Sequence, residues 1–217
     1  MIAILIGPPG SGKGTQAQSM KERLGALHLS TGDMLRGEIS VGSDIGVKAK
    51  SFMTAGQLVP DDVVVEVVAS QINKSKPDVV VLLDGFPRNT SQAESLDAML
   101  AQRGLKVNKV VEIQIDDSIL MDRLTGRFAC AKCGEGYHKI YKRPAQDDVC
   151  DKCGSTNFEV RPDDQEDTIR DRLKVYHDQT APLLPYYAKK GLLVQVDGDR
   201  NMDVVTKELE TILNDGQ

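Results

Sequence analysis

Nine consecutive residues, Gly7-Pro8-Pro9-Gly10-Ser11-Gly12-Lys13-Gly14-Thr15, combine what phosphate chemistry needs. Glycines at 7, 10 and 12 let the backbone turn sharply, so that successive N–H groups face one anion-sized hollow. A helix-length pattern starts at Lys13, placing that hollow at the positive end of a helix dipole. Lys13 adds a mobile cation for β- and γ-phosphates. The bland alternative is a glycine-rich turn without a ligand, and the position of these residues directly behind a strand pattern weighs against it. Gly14 stands where the general motif has Ser or Thr, so Thr15 is the nearest hydroxyl and the usual hydroxyl–magnesium arrangement is not implied.

A second reactive run is Asp84-Gly85-Phe86-Pro87-Arg88, with Gln92 beyond it. It follows the aliphatic stretch Val79–Leu83, so Asp84 falls at the carboxyl end of a buried strand, as a magnesium-orienting carboxylate would. Gly85 permits close backbone approach, and Arg88 offers a planar fork for a phosphate. The segment Leu29-Ser30-Thr31-Gly32-Asp33-Met34-Leu35-Arg36 reads, by itself, as a helix cap followed by an amphipathic turn. Arg123 and Arg127 fall on one predicted helix face, and Arg161 and Arg172 are about three turns apart if one helix holds both. Isolated arginines of this kind are more often solvated charges than ligands.

The four cysteines form two pairs, Cys130-x2-Cys133 and Cys150-x2-Cys153, separated by sixteen residues and followed by Gly134 and Gly154. This is zinc-ribbon spacing. Each pair puts two thiolates on one tight turn, and two such turns close a tetrahedral sulfur shell with no open position, hence a structural metal. Two disulfides or four free thiols are the alternatives; iron or cobalt suits the same ligands, with redox-inert zinc the default. His138 reads as a lone exposed histidine and His28 as strand-edge filler.

The elements that must position these residues are legible as period and punctuation. Met1–Ile6, Val79–Leu83, Lys109–Ile115 and Leu192–Val196 read as buried strands, with Leu27–Ser30 a weaker fifth. Helix patterns cover Lys13–Leu24, Asp61–Ile72, Ser91–Arg103, Ser118–Arg127, Glu166–Lys189 and Asn201–Leu213, with Ser91 and Glu94 as a capping box. The alternation predicts an α/β fold whose parallel sheet is covered on both faces, with ligands beyond the carboxyl ends of its strands. Ser30–Val59 and Gly126–Asp163 break the pattern and read as insertions.

The 217 residues suit one sizeable domain with small insertions, and 40% hydrophobic content supplies a core. A net charge of −5, from 32 acidic and 27 basic residues, argues against a chain that chiefly grips nucleic acid. The first apolar run is too short for a signal-peptide core, and no later stretch approaches about 18 uncharged apolar residues. The expectation is a cytoplasmic protein without a membrane or nucleic-acid partner.

Taken together, the GxxGxGKGT loop, the STGDMLR segment and DGFPR resemble the adenylate kinase family over almost the whole chain, from Gly7 to about Arg200. The resemblance implies a five-stranded P-loop NTPase core at 1–29, 60–125 and 164–217. It also implies a helical NMP-binding insertion at 30–59 and a zinc-ribbon lid at 126–163. The implied reaction is reversible phosphoryl transfer from Mg-ATP to AMP giving two ADP, by a monomer, with Mg²⁺ and structural Zn²⁺. ATP would be held by Gly10, Ser11, Gly12, Lys13, Gly14, Thr15, Arg127, Gly136, Tyr137 and, through its backbone, Arg200. AMP would meet Thr31, Arg36, Gln57, Leu58, Val59, Gly85, Phe86, Pro87, Arg88, Gln92, Arg161 and Arg172. Lys13, Arg88, Arg123, Arg127, Arg161 and Arg172 would be catalytic and Asp84 would orient Mg²⁺. No general base is implied. The rivals are a kinase for UMP, CMP or GMP on the same scaffold and, from another class, a zinc-ribbon nucleic-acid binder using the loop as a nucleotide switch.

Overall fold

The computed structural model describes residues 1–75 and 79–215. The expected core ranges run through 76–78 and 216–217, which lie outside the described residues. In chain order the elements are β1 (Ile2–Ile6), α1 (Lys13–Leu24), β2 (Leu27–Ser30), α2 (Thr31–Val41), α3 (Asp44–Thr54) and α4 (Asp61–Lys74). There follow β3 (Val81–Asp84), α5 (Thr90–Ala101), β4 (Lys109–Gln114), α6 (Asp117–Thr125), β5 (Arg127–Cys130), β6 (Gly136–His138) and β7 (Phe158–Glu159). The chain ends with α7 (Glu166–Val175), α8 (Leu183–Lys189), β8 (Leu193–Asp197) and α9 (Met202–Asn214).

The five main strands form one parallel sheet in the order β2-β3-β1-β4-β8. Every residue of β1 and β3 is buried, as strands covered on both faces require. Side chains alternate between two cores: Ile2, Ile4 and Ile6 join Leu83, Val110 and Tyr187 on one face, while Ala3 and Leu5 join Val111, Ile113 and Leu209 on the other. The strand order reverses direction at β1, so the loop after β1 opens at the crevice where α/β sheets bind ligands. The cysteine segment forms a separate antiparallel sheet, β6-β5-β7. Among the described residues no helix is long and apolar enough to cross a membrane.

Three local expectations are corrected by tertiary contacts. Helix α5 begins at Thr90 and is capped by Asn89, whose side chain accepts from the Gln92 N–H and donates to Asp61 Oδ1; Ser91 is already inside the helix. Helix α6 ends at Thr125, so Arg127 is not on the face of Arg123 but opens strand β5. The pattern Glu166–Lys189 is not one helix: a π-turn, Tyr176–Thr180, intervenes before Pro182 and α8, and Arg161 precedes a 3-10 turn at Pro162–Asp164.

Candidate active site

The loop after β1 wraps the start of α1. Gly12 takes a left-handed conformation (φ 94°) at the helix N-cap, with no side chain capping the first turn. Helices α4, α7 and α8 also lack a side-chain cap, but the first turn of α1, Gly12 to Thr15, lines the main cleft, where its free amides can serve as anion donors. Lys13 Nζ bridges the loop, donating to the Gly7 and Pro8 carbonyls at 2.7 and 2.9 Å and lying 3.3 Å from Ser11 Oγ. Burial lowers the Lys13 ammonium to about 8; Asp84 opposes the shift, while Arg88, Arg172 and Arg127 add to it. A buried cation with further cations around it marks a site that gains from an arriving polyanion.

Asp84 lies at the end of β3, beside the loop: a Cβ on Gly14 would stand 3.5 Å from its Oδ2. The same oxygen meets His28 Nε2 at 3.2 Å. Thr31 Oγ1 donates to the Gly85 carbonyl at 2.8 Å, and Arg88 Nε donates to that carbonyl at 2.8 Å. Gly85 has φ 76°, and a Cβ there would meet Thr31 Oγ1 at 2.9 Å, so this crossing needs glycine. Arg88 is fastened at both ends of its backbone, its N–H to Gln92 Oε1 at 2.7 Å and its carbonyl to Thr180 Oγ1 at 2.8 Å.

Beyond Arg88 a small pocket is walled by Leu35, Met53, Val59 and Val64, with Gln57, Leu58 and Gln92 at its border. Its mix of apolar walls and a few amides suits a flat heterocycle. Gln92 is 1% exposed and its amide is engaged, Oε1 with Arg88 and Nε2 with Asp61 Oδ1. Phe86 is 1% exposed and packs into the core, while Pro87 borders the main cleft.

The arginines converge from three elements. Arg127 makes a two-pronged pair with Asp164, and Arg172 reaches Asp164 Oδ1 at 3.0 Å and Asp163 Oδ2 at 3.1 Å. Asp33 Oδ1 receives Arg36 Nη2 at 2.5 Å and Arg161 Nη2 at 3.3 Å, joining α2 to the chain that leaves the small sheet. Burial, then Arg127 and Arg36, bring Arg161 down to about 10; Arg88 and Arg172 are lowered likewise, by burial first. All stay cationic near neutrality. Arg123 donates to the Gly198 carbonyl at 3.2 Å, lies 5.6 Å from the Tyr141 ring, and keeps its buried Nε without a partner among the described residues. Arg200 sits on the cleft rim with its guanidinium directed to Asp197 and Glu208.

The cysteine sulfurs all lie within 4.8 Å of one another, with Cys130–Cys153 at 3.6 Å and Cys133–Cys150 at 3.5 Å. A tetrahedron with metal–sulfur bonds of about 2.3 Å has edges of about 3.8 Å, so the four thiols fit one such ion. Each knuckle closes by a glycine amide, Gly134 N–H to the Cys130 carbonyl and Gly154 N–H to the Cys150 carbonyl. Tyr137 borders the cleft but is only 3% exposed; its hydroxyl donates to Cys150 Sγ at 3.4 Å and accepts from the Asp151 N–H at 2.8 Å. Gly136 lines the cleft beside it. His138 is 8% exposed, not a surface histidine, because it is folded under the α6–β5 junction against Asp122.

One continuous cleft therefore gathers the glycine loop, Asp84, the arginines and one face of the small sheet. Several of its supports escaped sequence reasoning: His28 on Asp84, Asp163 and Asp164 under the arginines, Thr180 on Arg88, and Tyr141 beside Arg123. Only Asp163-Asp164, an acidic pair between two arginines, left a local signal.

A phosphate-binding loop at the sheet's switch point, facing a second base-sized pocket across a ring of arginines, defines a phosphotransferase for nucleotides. The family profile "Adenylate kinase" matches residues 5–192. The chain is 49% identical over 214 residues to an adenylate kinase of Paramagnetospirillum magneticum, covering 99% of both proteins. It is 50% identical over 213 residues to one of Magnetococcus marinus, covering 98% of this chain and all of the other. The chain belongs to the adenylate kinase family.

Proposed function

We propose that the chain transfers the γ-phosphoryl group of Mg-ATP to AMP, reversibly, giving two ADP. The observation that carries this reading is the pairing of two sites in one cleft: the uncapped loop at α1 and the pocket behind Arg88, with cations between them. ATP phosphates would occupy the loop, with Gly10, Ser11, Gly12, Lys13, Gly14 and Thr15 around them. Its base would lie at the cleft rim bordered by the exposed Tyr141 ring, near the Arg200 backbone. AMP would place its base in the pocket and its phosphate on Arg36 and Arg88.

The chemistry asks for positioning and charge neutralisation rather than proton transfer, since the AMP phosphate is already largely dianionic near neutrality, with a second pKa of about 6. Lys13, Arg123, Arg127, Arg161 and Arg172 would stabilise the charge that spreads over the transferring group. Arg36 and Arg161 share Asp33 here; an AMP phosphate competes with that carboxylate for both. Mg²⁺ arriving with ATP would neutralise phosphate charge, and Asp84, steadied by His28, is the carboxylate placed to orient it. Segments 30–59 and 126–163 would act as the acceptor and donor covers that exclude water. Zn²⁺ is the metal that suits the four thiols of the lid. A cytoplasmic monomer without nucleic-acid or membrane partners accompanies the reading.

The test is to incubate the protein with Mg-ATP and, separately, AMP, GMP, CMP and UMP, separating all products by chromatography. ADP formed only with AMP, about two per AMP consumed, supports the reading. Preference for another acceptor overturns the specificity; ATP hydrolysis without transfer overturns the activity.

A further inference from the structure

We propose that Gly56 is a positioning residue for the acceptor half of the reaction, the contact that couples seating of the AMP base to Arg172. The inference rests on the functional reading above. Gly56 ends α3 in a left-handed turn with φ 69°. Its N–H donates to the Met53 carbonyl at 3.2 Å, and the Gln57 N–H reaches back to the Phe52 carbonyl at 2.9 Å, a glycine-terminated helix end. The turn sends the chain directly into Gln57, Leu58 and Val59, which line the base pocket.

On its other side Gly56 lies against α7. A Cβ at this position would stand 3.0 Å from Arg172 Cγ and 3.2 Å from both Thr168 Cγ2 and the Thr168 carbonyl oxygen. One residue thus touches the pocket through the chain and the stem of a cleft arginine through space. A methyl group enters only if something yields by a few tenths of an ångström. The Arg172 guanidinium is tethered to the Asp163 carbonyl at 2.9 Å and Asp164 Oδ1 at 3.0 Å, and the Thr168 carbonyl belongs to helix backbone. The yielding part is therefore the α2–α3 insertion, which carries the Gln57–Val59 wall of the pocket away from the arginine.

The experiment compares Gly56→Ala with Gly42→Ala. Gly42 lies in the same insertion, ends α2 with φ 68° and has no atom within 4 Å of its Cβ position, so it carries the same backbone strain without the contact. For G56A we expect kcat/KM for AMP to fall about ten-fold, given that a 1 Å misplacement costs up to about a hundred-fold, while KM for ATP stays within about two-fold. G42A should lose similar thermal stability yet keep wild-type kcat/KM for AMP. Thr168→Ser, which removes one of the crowded atoms, should restore part of the loss when added to G56A. Where G56A does not fold, Thr168→Ile crowds the same contact with Gly56 intact and should give the same AMP-specific loss. Normal AMP kinetics in G56A or T168I, or equal losses in G56A and G42A, overturn the inference alone. A wild type that forms no ADP from AMP overturns the functional reading and this inference with it.

Discussion

Arg127 and Asp164, 37 residues apart, meet in a two-pronged ion pair, Nε to Oδ2 at 2.8 Å and Nη2 to Oδ1 at 2.6 Å. The Asp164 side chain has no solvent exposure and also takes Arg172, so one buried carboxylate orients two cleft cations. Planar pairing of this kind fixes direction as well as position. Asp164→Asn should leave both arginines incompletely paired. Breaking a buried pair costs about 3–5 kcal/mol, and the two guanidinia keep some solvent contact, so a loss of about 3 kcal/mol is expected. Turnover should fall about a hundred-fold through misplacement. Parallel melting and steady-state assays check both; unchanged turnover would remove Asp164 from any orienting role.

That pair also shows where sequence reading stops. The loop at Gly7–Thr15, the Asp84–Arg88 run and the cysteine spacing are contiguous, so their chemistry is written locally, and the boundaries of α1 and β2 follow from period and glycine placement. A spacing of four suits a helix equally well, so Arg127 reads as helical although it opens β5. Gly126 ends α6 because the buried His138 ring lies against it: a Cβ there would stand 2.3 Å from His138 Nε2. The pattern Glu166–Lys189 hides its π-turn for a similar reason. What the turn gains is the Thr180 hydroxyl on the Arg88 carbonyl, a partner 92 residues away. Asn89 displaces Ser91 as a cap because Asp61 holds it. Each miss is a long-range contact overriding a local preference.

Lys13→Met separates catalysis from folding. Phosphoryl transfer loses a cation at the donor phosphates, and deletion of one such electrostatic contact typically costs about 10²–10³-fold in kcat. Stability should change far less. The Lys13 pKa is lowered to about 8 from 10.5, so the folded state disfavours the charge throughout the range below the folded value. A neutral side chain escapes that penalty while losing the bonds to the Gly7 and Pro8 carbonyls, two opposed effects that should leave the melting point near that of wild type at pH 7. Turnover comparable to wild type in a folded variant would remove Lys13 from its assigned role.

Chelation should loosen the lid without dissolving the main sheet. The apolar cluster of the small sheet is just Cys130, Tyr137 and Cys150, with Phe128 and Phe158 packed on Tyr137 at 5.7 and 5.6 Å. So small a core depends on a staple. Elemental analysis should find about one zinc per chain. Its removal under native conditions should lower the melting midpoint by several degrees, each ~1 kcal/mol being worth about 2–4 °C at this size. A stripped protein with an unchanged melting curve would show that the metal does not stabilise the fold.

His138 should make the same region acid-sensitive. Its Nδ1 accepts from the Ile140 and Tyr141 N–H groups at 3.0 and 3.1 Å, and its Nε2 lies 3.3 Å from the Asp122 carbonyl. Only the neutral ring with its proton on Nε2 satisfies all three contacts; a second proton on Nδ1 would point at two donors. Burial, aided by Arg123 and Lys139 against the pull of the Asp122 carbonyl, lowers its pKa below 6.5 in the folded state. The unfolded chain then binds more protons, so stability from this group is complete above about pH 6.5 and is lost as pH falls from there toward the folded value. His138→Gln keeps hydrogen-bonding capacity but does not titrate. The melting difference between wild type and variant should therefore favour wild type at pH 8 and shrink below about pH 6.5. Acid protonation of the cysteine thiolates affects both proteins alike and cancels in that difference. A difference that stays constant from pH 8 to pH 5 would show that the imidazole at the lid junction does not take up a proton on unfolding.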